Sequence, residues 1–152
     1  MGDHCYMHLV CRRKDQELFE EIGFHLDYEQ TPNSPIIEMV DEEANYAHTD
    51  EMPSRVPYYG QNGNGDNYSD GVFACDGRRY AEVEAGYAGG FVVAWNTKRN
   101  RPDPKSLRSI RRFLSAQDKV QKMFQALKPP TNKRKETNHG TDYSLLVPSQ
   151  GP

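Results

Sequence analysis

His48 lies in a segment rich in carboxylates, and this is the part of the sequence that comes closest to a catalytic or metal-binding set. Five acidic residues surround it: Asp41, Glu42, Glu43, Asp50 and Glu51. A histidine beside carboxylates can form a metal site or a general acid and base pair. Acidic segments of this composition are also common as solvated surface, so both interpretations stay open.

Two further sets resemble metal sites but have the wrong spacing. The first is His4, Cys5, His8 and Cys11. These residues fall on a predicted strand, where positions four apart are separated by about 13 Å, too far to share one ion. The segment 62–73 begins like a calcium-binding loop, but it has no glycine at its sixth position and no glutamate at its twelfth. We therefore assign no metal site and no cofactor.

Cys75 is a candidate nucleophile if His48 or His25 acts as its base. It directly precedes a predicted hairpin turn, however, and strand alternation places it on the same side as Phe73, which favours a packed thiol. The common nucleotide-binding and hydrolase motifs are absent from the sequence. We assign no catalytic residue.

The charges are divided unevenly along the chain. Residues 1–96 contain 18 acidic and 6 basic residues, whereas residues 97–152 contain 4 acidic and 13 basic residues. Such an asymmetry bears on partners and association more than on fold. It predicts an acidic body and a basic C-terminal region.

The basic region contains a predicted amphipathic helix that begins at Asp103-Pro104, with Asp as N-cap and Pro as first helical residue. Its apolar stripe is Ile110, Phe113, Gln117, Val120, Phe124 and Leu127. The opposite side carries the basic residues Arg108, Arg112, Lys119 and Lys122. Ser115 with Asp118 allows a break in the helix. Pro129-Pro130 ends it.

Upstream of the helix, the pattern predicts strands and one short helix. His4 to Cys11 alternates as a central strand covered on both faces would. Arg12 to Ile22 predicts a short amphipathic helix that Gly23 terminates. Pro35 to Val40 predicts a second strand, after which residues 41–54 are acidic and turn-rich.

The middle of the chain combines a predicted loop with a predicted antiparallel meander. Residues 55–70 are rich in Gly, Asn, Tyr and Asp and predict a long ordered loop, in which Tyr58, Tyr59 and Tyr68 are candidate partner-binding residues. Asp76-Gly77 predicts a hairpin turn. A second hairpin is predicted to turn at residues 88–90 and to return over residues 91–95.

The 152 residues therefore predict one α+β domain over residues 1–128, followed by a flexible C-terminal tail at residues 129–152. The expected architecture is an antiparallel meander sheet with a short N-terminal helix and a long basic C-terminal helix. No run is apolar enough for a membrane span, no secretory signal is recognisable, and the cysteine number is odd. These features predict a cytoplasmic protein that does not contact membranes.

The leading functional hypothesis is a small non-enzymatic protein whose acidic residues dock on a basic protein partner and inhibit a protein that handles nucleic acid. In general character the chain is similar to accessory proteins of phages and plasmids, although no motif identifies a family. One alternative is nucleic-acid binding by the basic helix, with residues 133–135 as a basic clamp. Another is an enzyme that uses the His48 segment. The apolar helix stripe also offers a homodimer interface.

Overall fold

The computed structural model describes residues 4–27, 32–63, 70–86 and 90–127, and these form an α+β fold. Six strands form one antiparallel sheet: β1 (His4–Arg12), β2 (His25–Leu26), β3 (Ile36–Asn45), β4 (Pro57–Gly63), β5 (Gly71–Asp76) and β6 (Tyr80–Glu84). Their order across the sheet is β2-β3-β1-β4-β5-β6. The predicted tail at residues 129–152 lies outside the described residues.

β1 is a central strand, as its alternation predicts, because it pairs with β3 on one side and β4 on the other. Cys5, Met7, Leu9 and Cys11 are buried on one face of the sheet. Val10 is buried on the other face, where His4 is exposed. This second face is therefore covered over only part of its area.

β3 is longer than the predicted strand over residues 35–40, because it continues through Asn45. The acidic residues Asp41, Glu42 and Glu43 therefore belong to a strand and not to a turn. β2, which the sequence did not predict, pairs with β3 over two residues, and Asp27 N then donates to Glu38 O at 2.9 Å.

The helical segment after β1 consists of a 3₁₀ turn, Arg13–Asp15, and the short helix α1, Gln16–Glu20. Phe19 from α1 is buried under the sheet. Gly23 ends the segment with a φ of 121°, a left-handed conformation that glycine adopts without a Cβ penalty. The predicted termination at Gly23 is confirmed.

The hairpin between β5 and β6 is also confirmed, with Gly77 and Arg78 between the paired residues Asp76 and Arg79. Asp76 Oδ1 accepts hydrogen bonds from the backbone N–H groups of Arg78 and Arg79, both at 2.9 Å. An Asp side chain that accepts from the backbone two and three residues on is a common turn-stabilising arrangement.

The predicted return strand over residues 91–95 is wrong for most of its length. Phe91 forms one isolated bridge with Ala85, and residues 92–94 are not in a strand. β7 (Trp95–Asn96) instead pairs with β8 (Arg101–Pro102) in a separate two-stranded hairpin. That hairpin leads directly into the C-terminal helix.

The helix α2 runs without a break from Pro104 to Leu127, so the break allowed at Ser115 does not occur. Asp103 caps its start by accepting from Lys105 N at 3.1 Å. The predicted stripe is buried from Phe113 to Phe124, whereas Leu127 is 45% exposed. Because the stripe packs on the sheet of the same chain, it is not available as the homodimer interface suggested by the sequence.

Two apolar clusters lie on opposite faces of the sheet. One contains Phe19 and Phe24 packed on β1, β3, β4 and β5. The other is covered by α2, and its sheet residues are Val10, Ile36, Tyr59, Val72, Ala74 and Val83. Gly60 permits the close pairing of β4 with β1, since a Cβ there would lie 2.1 Å from His8 O. No helix in the described ranges is long and apolar enough to span a membrane.

Candidate functional site

The outer surface of α2 carries the predicted basic row. Arg108, Arg112, Lys119 and Lys122 are all exposed, as are Lys105 and Arg111 beside them. With 3.6 residues per turn, these six side chains fall within about a third of the helix circumference, away from the buried stripe. The helix therefore presents its six basic residues on one side, which we call the basic surface.

The two ends of this basic surface differ in their acidic neighbours. Lys119 Nζ lies 3.7 Å from Asp76 Oδ2, and Lys122 Nζ lies 3.0 Å from Asp118 Oδ2. Within the described ranges, Arg108 and Arg112 form no ion pair, and neither do Lys105 and Arg111. No acidic residue of the described ranges therefore neutralises the N-terminal half of the surface.

The β7–β8 hairpin extends this half with further basic residues and an exposed aromatic ring. Ala94 N donates to Ser106 Oγ at 3.1 Å, and Asp103 N donates to Ala94 O at 2.8 Å, which ties the hairpin to the first turn of α2. Lys98, Arg99 and Arg101 are exposed, and Trp95 is 56% exposed. The sequence pattern did not single out Trp95, because it placed this residue at the end of the predicted return strand over residues 91–95.

His48 organises most of the acidic segment through two short contacts. Its Nε2 lies 2.7 Å from Asp41 Oδ2 and its Nδ1 lies 2.9 Å from Glu51 Oε1. Both ring nitrogens of His48 are therefore engaged by carboxylates. The ring is buried against Phe24, with centroids 5.3 Å apart, and neither nitrogen is free to act on a substrate in this arrangement.

The turn that carries His48 has an unusual backbone. Tyr46, Ala47 and His48 all have positive φ, at 51°, 51° and 52°. Each left-handed L-residue costs about 1–2 kcal/mol, so the conformation must be held by its surroundings. The burial of Ala47 and the two carboxylate contacts of His48 provide this support.

The remaining predicted acidic residues are exposed. Glu42 Oε1 accepts from His25 Nε2 at 2.6 Å. This hydrogen bond lowers the pKa of Glu42 and raises that of His25. Glu43 and Asp50 form no ion pair with any described residue. Three of the five predicted partner-contacting acids, Asp41, Glu42 and Glu51, are therefore engaged by histidines of the same chain.

The tyrosines that were predicted to form a binding loop lie in the interior. Tyr58 and Tyr59 are 0% exposed in β4, one in each apolar cluster. Tyr58 Oη donates to Pro53 O at 2.6 Å, and burial raises the pKa of its hydroxyl. The prediction of a loop is therefore wrong at residues 57–63, and these two side chains do not form a partner-contacting surface. Tyr68 lies outside the described residues.

The part of the sheet that α2 leaves uncovered holds a polar cluster that the sequence did not reveal. His8 Nε2 lies 2.7 Å from Glu38 Oε1 and 3.7 Å from Asp27 Oδ2. The contact with His8 lowers the pKa of Glu38. Burial raises the pKa of the neighbouring Tyr6, and the negative charge of Asp27 adds to the shift.

The three cysteines are free thiols, and all are buried. Burial raises the pKa of Cys11 to about 12 and also raises the pKa of Cys75. Cys75 Sγ donates to Ser54 O at 3.7 Å, while His48 is occupied by its two carboxylates. This geometry fits the packed thiol and not an activated nucleophile.

Comparison with known proteins found no matching family, no similar curated protein and no similar solved structure.

Proposed function

We propose that this chain binds nucleic acid through the outer surface of the N-terminal half of α2. The observation that carries the proposal is the set of exposed basic side chains that no described acidic residue neutralises: Lys105, Arg108, Arg111 and Arg112. When a polyanion such as nucleic acid covers this surface, its phosphates pair with the basic side chains, so that no positive charge is buried without a partner.

The chemistry of the set favours phosphate. Three of the four residues are arginines, whose planar guanidinium group donates two parallel hydrogen bonds to one phosphate. Lys98, Arg99 and Arg101 in the adjoining hairpin enlarge the positive surface. Trp95 adds an exposed ring of the kind on which unpaired bases stack.

The test compares two double variants on the same helix. Arg108→Gln with Arg112→Gln removes two unpaired charges, and Lys119→Gln with Lys122→Gln removes two charges that already contact acids. Fluorescence anisotropy with labelled duplex DNA, single-stranded DNA and RNA is measured at two salt concentrations. We expect the arginine variant to bind more weakly than the lysine variant. Its salt slope should fall by up to about 0.9 for each phosphate that it no longer neutralises.

The control for folding is urea denaturation, since exposed charges contribute little to stability and both variants should unfold like the wild type. Equal affinity losses in the two variants would show that the N-terminal half is not the site. Absence of binding by the wild type at the lower salt concentration would rule out the proposed function itself.

A second candidate, docking on a basic protein partner, is supported by the exposed acids Glu43 and Asp50, which have no ion pair among the described residues. Inhibition of a nucleic-acid-handling protein is one form that this function would take. Pull-down with and without nuclease separates the two candidates. A partner that survives nuclease and is lost after Glu43→Gln with Asp50→Asn supports docking.

The same proposal includes a cytoplasmic location. The three cysteines are free, and reduced thiols are typical of a reducing compartment. Nucleic acid is also available there.

A further inference from the structure

The strands β1 and β3, with the residue that follows β2, bring together a histidine and two carboxylates on the part of the sheet that α2 leaves uncovered. His8 of β1 and His25 of β2 both pair with Val40 of β3, so these three residues form one row across the strands. Asp27 and Glu38 occupy the next row, where their backbones are hydrogen bonded. His8 therefore faces Glu38 and Asp27 diagonally across the sheet.

The donor atoms of this cluster are close enough to share one ion. His8, Asp27 and Glu38 each offer one ligand atom, and the three atoms lie within 4.8 Å of one another. Ligands about 2.0–2.2 Å from a tetrahedral ion are separated by roughly 3.4 Å. The 3.7 Å between His8 Nε2 and Asp27 Oδ2 is already close to that value. Glu38, at 52% side-chain exposure, can open its 2.7 Å contact by a small rotation.

We propose that His8, Asp27 and Glu38 form a binding site for a divalent first-row transition metal ion, with Zn²⁺ as the reference ion. An imidazole nitrogen with two carboxylate oxygens is a ligand set that suits Zn²⁺ and its neighbours better than Ca²⁺ or Mg²⁺, which prefer oxygen alone. The geometry of donor atoms carries the proposal, and it is independent of nucleic-acid binding.

The exposure of the ligands defines what kind of site this is. The side chain of His8 is 13% exposed and that of Asp27 is 36% exposed. The ion is therefore reached from the solvent side, where water completes its coordination. A site with three protein ligands and an open position differs from a closed structural zinc site with four protein ligands.

The surroundings of His8 set an upper limit on affinity. When Nε2 binds a metal, the ring proton resides on Nδ1, and metal-binding histidines usually donate that proton to an acceptor. Nδ1 of His8 is buried and has no hydrogen-bond partner among the described residues. Because lack of such a supporting group typically weakens binding about 10–100-fold, we expect an exchangeable ion and not one retained through purification.

The experiment is isothermal titration of the full chain with ZnCl₂, followed by Co²⁺ titration monitored by visible absorption. Wild type should bind one equivalent of Zn²⁺. Glu38→Gln and Asp27→Asn should each weaken binding at least about tenfold, because each removes a direct ligand. His25→Ala is the matched control, since it removes an exposed histidine of the same face that contacts Glu42 and not this cluster.

His8→Ala should abolish binding, and circular dichroism checks that this variant of a central strand still folds. If His8→Ala does not fold, Glu38→Gln and Asp27→Asn still test the proposal. Absence of saturable Zn²⁺ binding by the wild type would overturn the proposal. It would also fail if His25→Ala weakened binding as much as Glu38→Gln, because the ion would then lie at the His25–Glu42 pair.

Discussion

The sheet face that α2 packs against has two unlike halves. Under α2, the strands β4, β5 and β6 present Tyr59, Val72, Ala74 and Val83, all buried. On β1, β2 and β3 the same face presents mainly His8, His25, Glu38 and Glu42. One helix therefore covers an apolar half, whereas His25, Glu38 and Glu42 of the polar half stay exposed.

Coverage by α2 follows the polarity of the strands on that face. β1 joins the two halves, because Val10 at one end belongs to the covered cluster and His8 precedes it on the open side. Histidines and carboxylates stay partly solvated on the open half, where their charged forms cost little. This half is accordingly the one that retains groups able to bind ions.

The largest effect should come from removing an aromatic ring between α2 and the covered half. Phe113→Ala deletes a side chain that is 0% exposed and contacts Phe91, with ring centroids 6.1 Å apart. We expect the free energy of unfolding to fall by about 3–5 kcal/mol. Urea denaturation measures it, with the 45%-exposed Leu127→Ala as the control that should change little. Equal losses for both variants would mean that α2 is not anchored through its stripe.

A matched pair of valines compares the two halves directly. Val72 and Val40 are similarly buried, but Val72 lies under α2, whereas Val40 lies between His8 and His25 and belongs to neither apolar cluster. Each Val→Ala change removes two methyl groups, worth about 1.6 kcal/mol in transfer free energy. We expect about 2–3 kcal/mol for Val72→Ala, where a cavity adds to the transfer term, and about 1.6 kcal/mol for Val40→Ala, where neighbouring side chains adjust and only the transfer term is lost. Urea denaturation measures both losses in the free energy of unfolding. A larger loss for Val40→Ala than for Val72→Ala would contradict the division of this sheet face into a covered and an uncovered half.

The elements that the sequence predicted correctly have local signals. The N-cap and proline at the start of α2, the glycine after α1 and the alternation of β1 each depend on residues within a few positions. The basic row was predicted for the same reason, because helical periodicity alone places Arg108 and Arg112 outside the apolar stripe that contains Phe113.

The features that were missed depend on which strands become neighbours. His8, Asp27 and Glu38 are far apart in sequence, and only the register of β1, β2 and β3 brings them together. Tyr58 and Tyr59 stand in a Gly- and Asn-rich segment with weak strand propensity, but pairing on both sides of β4 buries them. In such cases tertiary packing outweighs local preference.

The smallest of these effects concerns the one ion pair that links α2 to the sheet within the described residues. Asp76 caps the β5–β6 turn and faces Lys119, and its pKa is lowered chiefly by the hydrogen bond from Arg79 N, with Lys119 adding to the shift. A lowered pKa in the folded state contributes stability that is present above the ordinary carboxyl pKa and is lost as the pH falls through the folded value.

Asp76→Asn keeps an oxygen acceptor but no charge, so we expect the free energy of unfolding to fall by about 1 kcal/mol at pH 7, a loss that shrinks toward zero in strong acid. Urea denaturation of both proteins at several pH values between neutrality and strong acid measures the difference. If the difference stays constant across that range, the charge of Asp76 does not stabilise the turn, and the covered half is held by apolar packing alone.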